Sequence, residues 1–507
     1  MLTARLTFAA LLAAPSFAAV GRILHFSDVH LNISESFSIA ENARIPIRYF
    51  ADAPLPLLES ALAFAKEHVV ENPELFLYTG DHAAHGQFTD EFIAKAVETN
   101  VHAMENYYPP KGQHSEMLEA TAIIGNADGN PDYYMEATDP EKETNPSIEI
   151  ISAVWEDSLS AANLDLLNRR GYLSYALDDK LTVITLNTVP YSPSHLPDTS
   201  EQSDPFGQFA WLDQTLAELQ NAGKFAYIAG HIAPIVDSYG GNPQWHTKYI
   251  AKYKRIVGKY ADVIKAQFFG HVHSVELRVP VASLGREDST FQLLPMYITG
   301  SISPLFGNNP SFMVWDYDTE TYEILDYAVY ASDIAETEPQ LDWKLLFKAS
   351  EAYGLNSLSL TQLTAFLQRV EQNVSLVEEY YWNMKARSPN ARPCKDALCH
   401  AKTLCTLKWW TTKGEYLACV DTVQSMASAK VYDIDQTPAS PIQAVGATSS
   451  GSSSPQNDLA TKDVYMTIGA TALATVFAVA FVAVTVQVLR RTGILKNRAQ
   501  YDTVATL

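Results

Sequence analysis

Cysteine is absent before residue 394, and all four cysteines, Cys394, Cys399, Cys405 and Cys419, fall in one short region. Their spacing contains no paired CxxC, which argues against a thiolate zinc cluster. Two disulfides in an oxidising compartment, with three possible pairings, fit the pattern better. Positive charge is also scarce: 36 Lys and Arg against 58 Asp and Glu give a formal net charge of −22. A nucleic-acid surface needs basic clusters that displace counterions, so no nucleic-acid partner is expected. No internal repeat is present. One stretch lacks charge altogether, "VYMTIGATALATVFAVAFVAVTVQVL", Val464 to Leu489. At 1.5 Å per residue it reaches about 39 Å, so one transmembrane helix is expected there. Arg490, Arg491, Lys496 and Arg498 follow and orient residues 490–507 as a cytoplasmic tail.

What remains is ample for a folded core, with 507 residues of which 47% are hydrophobic. Residues 1–18, "MLTARLTFAALLAAPSFA", have a basic start, an apolar run and small residues Ser16 and Ala18 placed for cleavage, the pattern of a signal peptide. Asn32 in "NIS" and Asn373 in "NVS" match glycosylation acceptors. The runs "RILHF", "LFLY", "TAII", "LTVITL", "FAYIA", "AQFF" and "MYIT" are expected as buried strands. Between the first two, Leu58, Leu62, Ala65 and Val69 recur at helical spacing. "DPFGQFAWLDQTLAELQNAG" reads as a helix capped by Asp204, with Pro205 in its first turn and Gly223 closing it.

Strands alternating with helices predict a layered α/β domain over residues 19–335. A helical subdomain carrying the cysteines is expected over 336–435, followed by a Ser/Gly/Pro-rich stalk over 436–463 and the span over 464–489. The whole reads as a secretory-pathway, type I single-pass glycoprotein.

Five of the expected strands end in residues able to hold a metal. "HFSDVH" supplies Asp28 and His30, "YTGDH" Asp81, "IIGNAD" Asn126, "YIAGHIAP" His231, and "FFGHVHS" His271 and His273. Residues two apart on an extended segment point the same way, so Asp28 with His30, and His271 with His273, are each expected to reach one spot. Strand ends of an open α/β sheet border the crevice where ligands bind. The donors are imidazoles, carboxylates and one amide oxygen, a set suited to zinc, iron or manganese. Seven donors are too many for one such ion. Two ions sharing a carboxylate, about 3.5–4 Å apart, could grip a phosphoryl group for in-line displacement.

On these motifs the chain resembles the calcineurin-like metallophosphoesterases, and within them the acid sphingomyelinase-like phosphodiesterases. "GDHAAH", "GYLSYALDDKLTVITLNT", "DPFGQFAWLDQTL", "AGHIAP", "FFGHVHS" and "SISPLFGNNPSFMVWDYD" are similar to that subfamily's blocks, in its order, over roughly residues 20 to 430. The resemblance implies a sandwich of mixed β-sheets flanked by helices, with a C-terminal disulfide-linked helical subdomain. It implies two divalent ions, zinc by likeness: one on Asp28, His30, Asp81 and His273, the other on Asp81, Asn126, His231 and His271. A metal-bridging hydroxide would attack phosphorus, with His231 stabilising charge and His85 assisting the leaving group. The substrate would be a small phosphoester: a nucleotide, a phospholipid head group or polyphosphate.

The chain departs from the family at one position. Where the family reads Gly-Asn-His and an acidic residue, this sequence has Gly125, Asn126, Ala127 and Asp128. A methyl group supplies no proton, so either substrates with good leaving groups or slow hydrolysis is expected. The rival readings are an endopolyphosphatase or nucleotide phosphatase, and a metal-binding pseudoenzyme serving as a surface receptor.

Overall fold

The computed structural model describes residues 19–34, 47–109, 122–156, 158–281, 292–334 and 341–435. These belong to one compact unit that ends at Gln436. The segments expected as signal peptide, stalk, span and tail lie outside the described residues.

The described strands are β1 (Val20–Phe26), β2 (Leu75–Tyr78), β3 (Leu173–Ala176), β4 (Leu181–Leu186), β5 (Phe225–Gly230), β6 (Ile264–Phe269), β7 (Glu276–Arg278), β8 (Met296–Ile298), β9 (Ser311–Asp318), β10 (Ile324–Asp333) and β11 (Asp342–Lys348). They form two mixed sheets, in the orders β11-β10-β9-β1-β2 and β3-β4-β5-β6-β8-β7. In the first sheet β1 and β2 run parallel and the remaining pairs antiparallel. In the second, β4, β5, β6 and β8 are parallel neighbours, with antiparallel partners at both edges. Parallel neighbours finish at a common edge. Phe26 pairs with Tyr78 at the ends of β1 and β2, and Leu186 pairs with Gly230 at the ends of β4 and β5.

The two-residue alternation of a strand decides what lies between the sheets. His25 of β1 points inward and meets Phe268 of β6 edge-on, with ring centroids 5.9 Å apart. Phe268 meets Trp315 of β9 at 5.3 Å, and Tyr227 of β5 meets Tyr317 of β9 at 6.1 Å. Its neighbour Phe26 points outward and stacks on Phe312 at 4.9 Å and Phe76 at 5.8 Å. Helix α1 (Leu55–Phe64) covers that outer face, burying Leu57, Leu58, Ala61 and Leu62 at helical spacing before a π-turn over Ala65–Val69. Helices α2 (Asp90–Tyr107), α3 (Pro146–Ser152) and α4 (Ala161–Arg170) precede β3. Helices α5 (Gln208–Ala222) and α6 (Thr247–Lys259) pack Leu212, Leu216, Ile250 and Tyr253 against Ile184, Ala226 and Ile228 of the second sheet.

The expected helix at "DPFGQF" starts later than its sequence suggests. Phe206 (φ 54°) and Gly207 (φ 66°) interrupt it, so α5 begins at Gln208. Asp204 nevertheless caps it, accepting from Phe209 N at 2.9 Å and Ala210 N at 3.0 Å, and Gly223 closes it in the left-handed conformation. "TAII" is no strand in the described residues: Ala122, Ile123 and Ile124 are buried but pair with neither sheet.

After β11 come α7 (Ala349–Tyr353), α8 (Leu360–Gln372), α9 (Val374–Met384), α10 (Ala397–Thr406) and α11 (Lys413–Asp435). This region carries both disulfides, Cys394–Cys399 and Cys405–Cys419. Such bridges persist in the oxidising secretory pathway. Trp409 docks it on the second sheet: its Nε1 donates to Pro234 O at 2.9 Å, and its carbonyl accepts from Lys254 Nζ at 2.7 Å.

The fold class needs one correction. No helix among the described residues is long and apolar enough to cross a membrane, so the transmembrane part of the expectation, and the type I orientation built on it, are not upheld. The long helices are unsuitable because they carry charge: α2 has Asp90, Glu91, Lys95 and Glu98, and α11 has Lys413, Glu415 and Asp421. The uncharged run 464–489 lies outside the described residues.

Opening the Cys405–Cys419 bridge, which spans a sequence separation of 14, is expected to destabilise the protein by about 3 kcal/mol through the unfolded chain's regained freedom. Urea unfolding of the Cys405→Ser/Cys419→Ser double variant checks this. The bridge between Cys394 and Cys399, with a separation of 5, closes a shorter loop and should matter less.

Candidate metal centre

The seven residues singled out by sequence gather where β1 and β2 of the first sheet and β5 and β6 of the second end, with Asn126 on the loop after the buried run 122–124. Five of them leave their strands in the left-handed backbone region: Asp28 (φ 50°), His30 (φ 47°), Asp81 (φ 59°), His271 (φ 73°) and His273 (φ 51°). Residues other than glycine seldom adopt this conformation, and it persists only where surroundings enforce it. Here the enforcement is reciprocal. Asp28 N donates to Gly80 O and His30 N to Asp81 O, each at 3.1 Å, while His271 N donates to Asp28 Oδ2 at 3.0 Å.

This geometry corrects one expectation. His271 and His273 are not on an extended segment, and their side chains diverge. Asp28, His30 and His273 form one group able to hold a metal ion, and Asp81, His231 and His271 form another. In the first, His273 Nε2 lies 3.4 Å from Asp28 Oδ1 and 3.1 Å from His30 Nε2. In the second, His231 Nε2 lies 3.0 Å from Asp81 Oδ2, 3.0 Å from Asn126 Oδ1 and 3.2 Å from His271 Nδ1. Asp81 Oδ2 also lies 3.3 Å from His30 Nε2, so one carboxylate oxygen faces both groups.

These contacts suit a cation better than one another. His30 Nδ1 sits 3.1 Å from Ala83 O, and His231 Nδ1 sits 2.7 Å from Thr79 O. A carbonyl only accepts, so both Nδ1 atoms carry protons in the neutral rings and both Nε2 atoms present lone pairs. Lone pairs of imidazole, carboxylate and amide oxygen thus converge with no proton between them, the arrangement of metal ligands. The electrostatics agree. Burial holds His30 and His273 well below the usual histidine range and brings His271 down to about 3, keeping them neutral. Burial also lowers His231, but Asp81 outweighs it and pushes that ring up to about 9, so positive charge is favoured at its Nε2, as a proton or as a bound cation in its place. Burial raises Asp81 as well, yet His231 and His30 hold it well below the usual carboxylate range. Asp28 is pushed up to about 7, chiefly by burial.

The loop Gly125–Asp128 fixes Asp81. Ala127 N donates to Asp81 Oδ1 at 2.8 Å, which leaves Oδ2 for the two groups. A Cβ on Gly125 would stand 2.1 Å from Asp81 Oδ1, so only glycine fits. The Asp128 carboxylate ties the two loops, accepting from Gly125 N at 2.8 Å, His82 N at 2.7 Å and Ala83 N at 3.0 Å. The Ala127 methyl is fully buried.

His85 borders the first group, its ring stacked on His30 with centroids 3.8 Å apart. Asp52 grips it twice, through its backbone N at 2.9 Å and Nδ1 at 3.0 Å. Burial lowers His85, but the Asp52 carboxylate prevails and pushes it up to about 9. His82 turns away, toward Asn100 and Tyr78. Asn373 is exposed and caps α9, whereas Asn32 is half-buried and accepts from Ser34 N. Asp52 and Gln244, whose Oε1 lies 3.0 Å from His271 Nε2, were not picked out by sequence, and neither lies in a strand-end motif. Asp128 stands in "IIGNAD", but its role as the acceptor that ties two loops has no sequence signal.

The calcineurin-like phosphoesterase family model matches residues 21–275, half of the chain. The chain belongs to that family. A second model, the acid sphingomyelin phosphodiesterase C-terminal region, matches residues 289–426. The chain is 28% identical over 341 residues to "Sphingomyelinase phosphodiesterase D" of Dictyostelium discoideum, covering 66% of this chain and 74% of that one. It is 26% identical over 421 residues to "Acid sphingomyelinase-like phosphodiesterase 3b" of Homo sapiens, covering 76% and 88%. It is 26% identical over 428 residues to "Cyclic GMP-AMP phosphodiesterase SMPDL3A" of Rattus norvegicus, covering 78% and 91%. This calcineurin-like phosphoesterase is therefore a phosphodiesterase, a hydrolase whose fold uses divalent metal ions.

Asp128→Ala strips three buried N–H groups of their acceptor, and at about 1–3 kcal/mol for each orphaned group should destabilise the phosphoesterase by about 3 kcal/mol or more. Asp128→Asn, which keeps part of the set, should cost less. Guanidinium unfolding of both variants measures the difference.

Proposed function

We propose that the protein hydrolyses phosphodiesters with two zinc ions and favours substrates whose leaving group needs little protonation. Asp28, His30 and His273 would hold one ion, Asn126, His231 and His271 the other, and Asp81 both. The observation that carries this reading is the single oxygen, Asp81 Oδ2, lying 3.3 Å from His30 Nε2 and 3.0 Å from His231 Nε2. When bound, the ions supply Lewis-acid stabilisation of the phosphoryl oxygens and lower the pKa of the attacking water.

The chain's own groups do the rest. Thr79 O and Ala83 O hold the rings of His231 and His30 in the ligating tautomer. His231 gives Nδ1–H to Thr79 O and turns Nε2 to the ion, so neither nitrogen is left to stabilise the phosphoryl oxygens directly, and its role is that of a ligand. His85, oriented by Asp52 beside the first group, remains to assist the departing oxygen. Position 127 offers it nothing, because the Ala127 side chain has no proton to give. Loss of one general acid commonly costs a factor of roughly 10²–10⁴. An alkoxide leaving without a proton bears that cost in full, whereas an aryl oxide, nucleotide or phosphate leaves as a more stable anion. Nucleotide-like phosphodiesters and phosphoanhydrides therefore suit the site better than simple alkyl diesters. We assign carbohydrate to the exposed Asn373, whose Oδ1 caps α9.

Two measurements test the reading. Metal analysis of the purified protein should find two zinc ions per chain, with Asp81→Asn lowering occupancy of both positions; a chain that takes up no transition metal overturns the assignment. Ala127→His should raise turnover of an alkyl phosphodiester by about 10²-fold and that of bis-nitrophenyl phosphate by much less. An equal gain on both would refute the leaving-group argument.

A further inference from the structure

Gln244 closes a chain of hydrogen bonds that ends on a proposed metal ligand. The chain begins at Asp237, which is 7% exposed in the loop after β5. Asp237 Oδ1 accepts from the N–H groups of Tyr239 at 3.0 Å, Gly240 at 2.7 Å and Gly241 at 2.9 Å. Its other oxygen, Oδ2, accepts from Gln244 Nε2 at 3.0 Å. A carboxylate only accepts, so the amide must turn its NH2 toward Asp237. A second contact, Nε2 to Asn242 O at 3.4 Å, demands the same orientation. Oε1 is thereby aimed at His271 Nε2, 3.0 Å away. An amide oxygen also only accepts, so His271 Nε2 carries the proton and Nδ1 keeps its lone pair.

That assignment matters because Nδ1 is the His271 atom that faces His231 Nε2 at 3.2 Å. His30 and His231 present Nε2 to the site and are held from behind by backbone carbonyls at Nδ1. His271 presents the opposite nitrogen, and the acceptor on its far side is a side-chain amide. The loop supporting that amide is itself closed, with Gln244 N donating to Ile235 O at 2.8 Å and Asp237 N to Asn242 O at 2.9 Å.

We infer that Gln244, oriented by Asp237, is a positioning residue that fixes the tautomer and ring direction of His271 and thereby sets the affinity of the second divalent ion. This rests on the ligand role given to His271 under the proposed function. Outer partners of metal-bound histidines typically contribute about 10–100-fold in affinity.

The test uses the full-length protein, with zinc affinity measured by competition against a chromophoric chelator and the unfolding temperature of the metal-stripped protein measured in parallel. Gln244→Leu, of similar volume, should weaken one of the two zinc ions by about 10–100-fold and leave the other ion and the metal-free unfolding temperature unchanged. The double variant Asp237→Asn/Gln244→Glu reverses the donor and acceptor between the two side chains but keeps an acceptor for His271, and should restore affinity close to wild type. Unchanged affinity for both ions in Gln244→Leu overturns the inference while leaving the metal assignment standing. So does equal weakening of both ions with a fall in unfolding temperature, which would mark Gln244 as a packing residue. A wild-type protein that binds no zinc overturns both.

Discussion

The site depends on holding one carboxylate still. Asp81 must direct one oxygen at two groups of imidazoles without swinging toward either, and its other oxygen is anchored by a backbone amide from a loop more than forty residues away in the chain. That anchor explains why the loop is built so tightly. Gly125 has no space for a Cβ, Asp128 staples the loop to the backbone after Asp81, and Asp81 itself sits in a left-handed conformation. Each of these features is unfavourable or restrictive alone, and each makes sense as part of one clamp.

The histidines follow a related logic. A neutral imidazole can ligate through either nitrogen, and the environment chooses by placing an acceptor at the other. Two carbonyls after β2, Ala83 O and Thr79 O, make that choice for His30 after β1 and His231 after β5, so each ring is supported from a different strand's end. Burial adds to this by opposing protonation of His30, His271 and His273. Among these four rings His231, closest to Asp81, is driven the other way.

Much of this could be read in the sequence because strand ends announce themselves. Apolar runs such as "RILHF" and "FAYIA" stop abruptly at polar residues, and within each sheet parallel pairing sets neighbouring stops side by side. The backbone at the stops could not be read: Asp28, His30, Asp81, His271 and His273 all take a positive φ that no spacing announces, and the two pairs set two apart then behave differently, Asp28 and His30 sharing a group and His271 and His273 not. β11, "DWKLLFK", was lost among the helices because it is a half-exposed edge strand with charged residues along it. "TAII" has strand composition, yet its described residues, 122–124, join neither sheet. Asp52 and Gln244 were invisible for another reason. Each matters through a partner distant in sequence, His85 and His271 respectively, and no local pattern encodes such a meeting.

Position 127 serves the clamp through its main chain alone. Every residue except proline carries that amide, so the hydrogen bond to Asp81 does not itself depend on which side chain stands there. Under the proposed reading, a single codon there would retune how a product is expelled while the main-chain anchor on Asp81 stays in place.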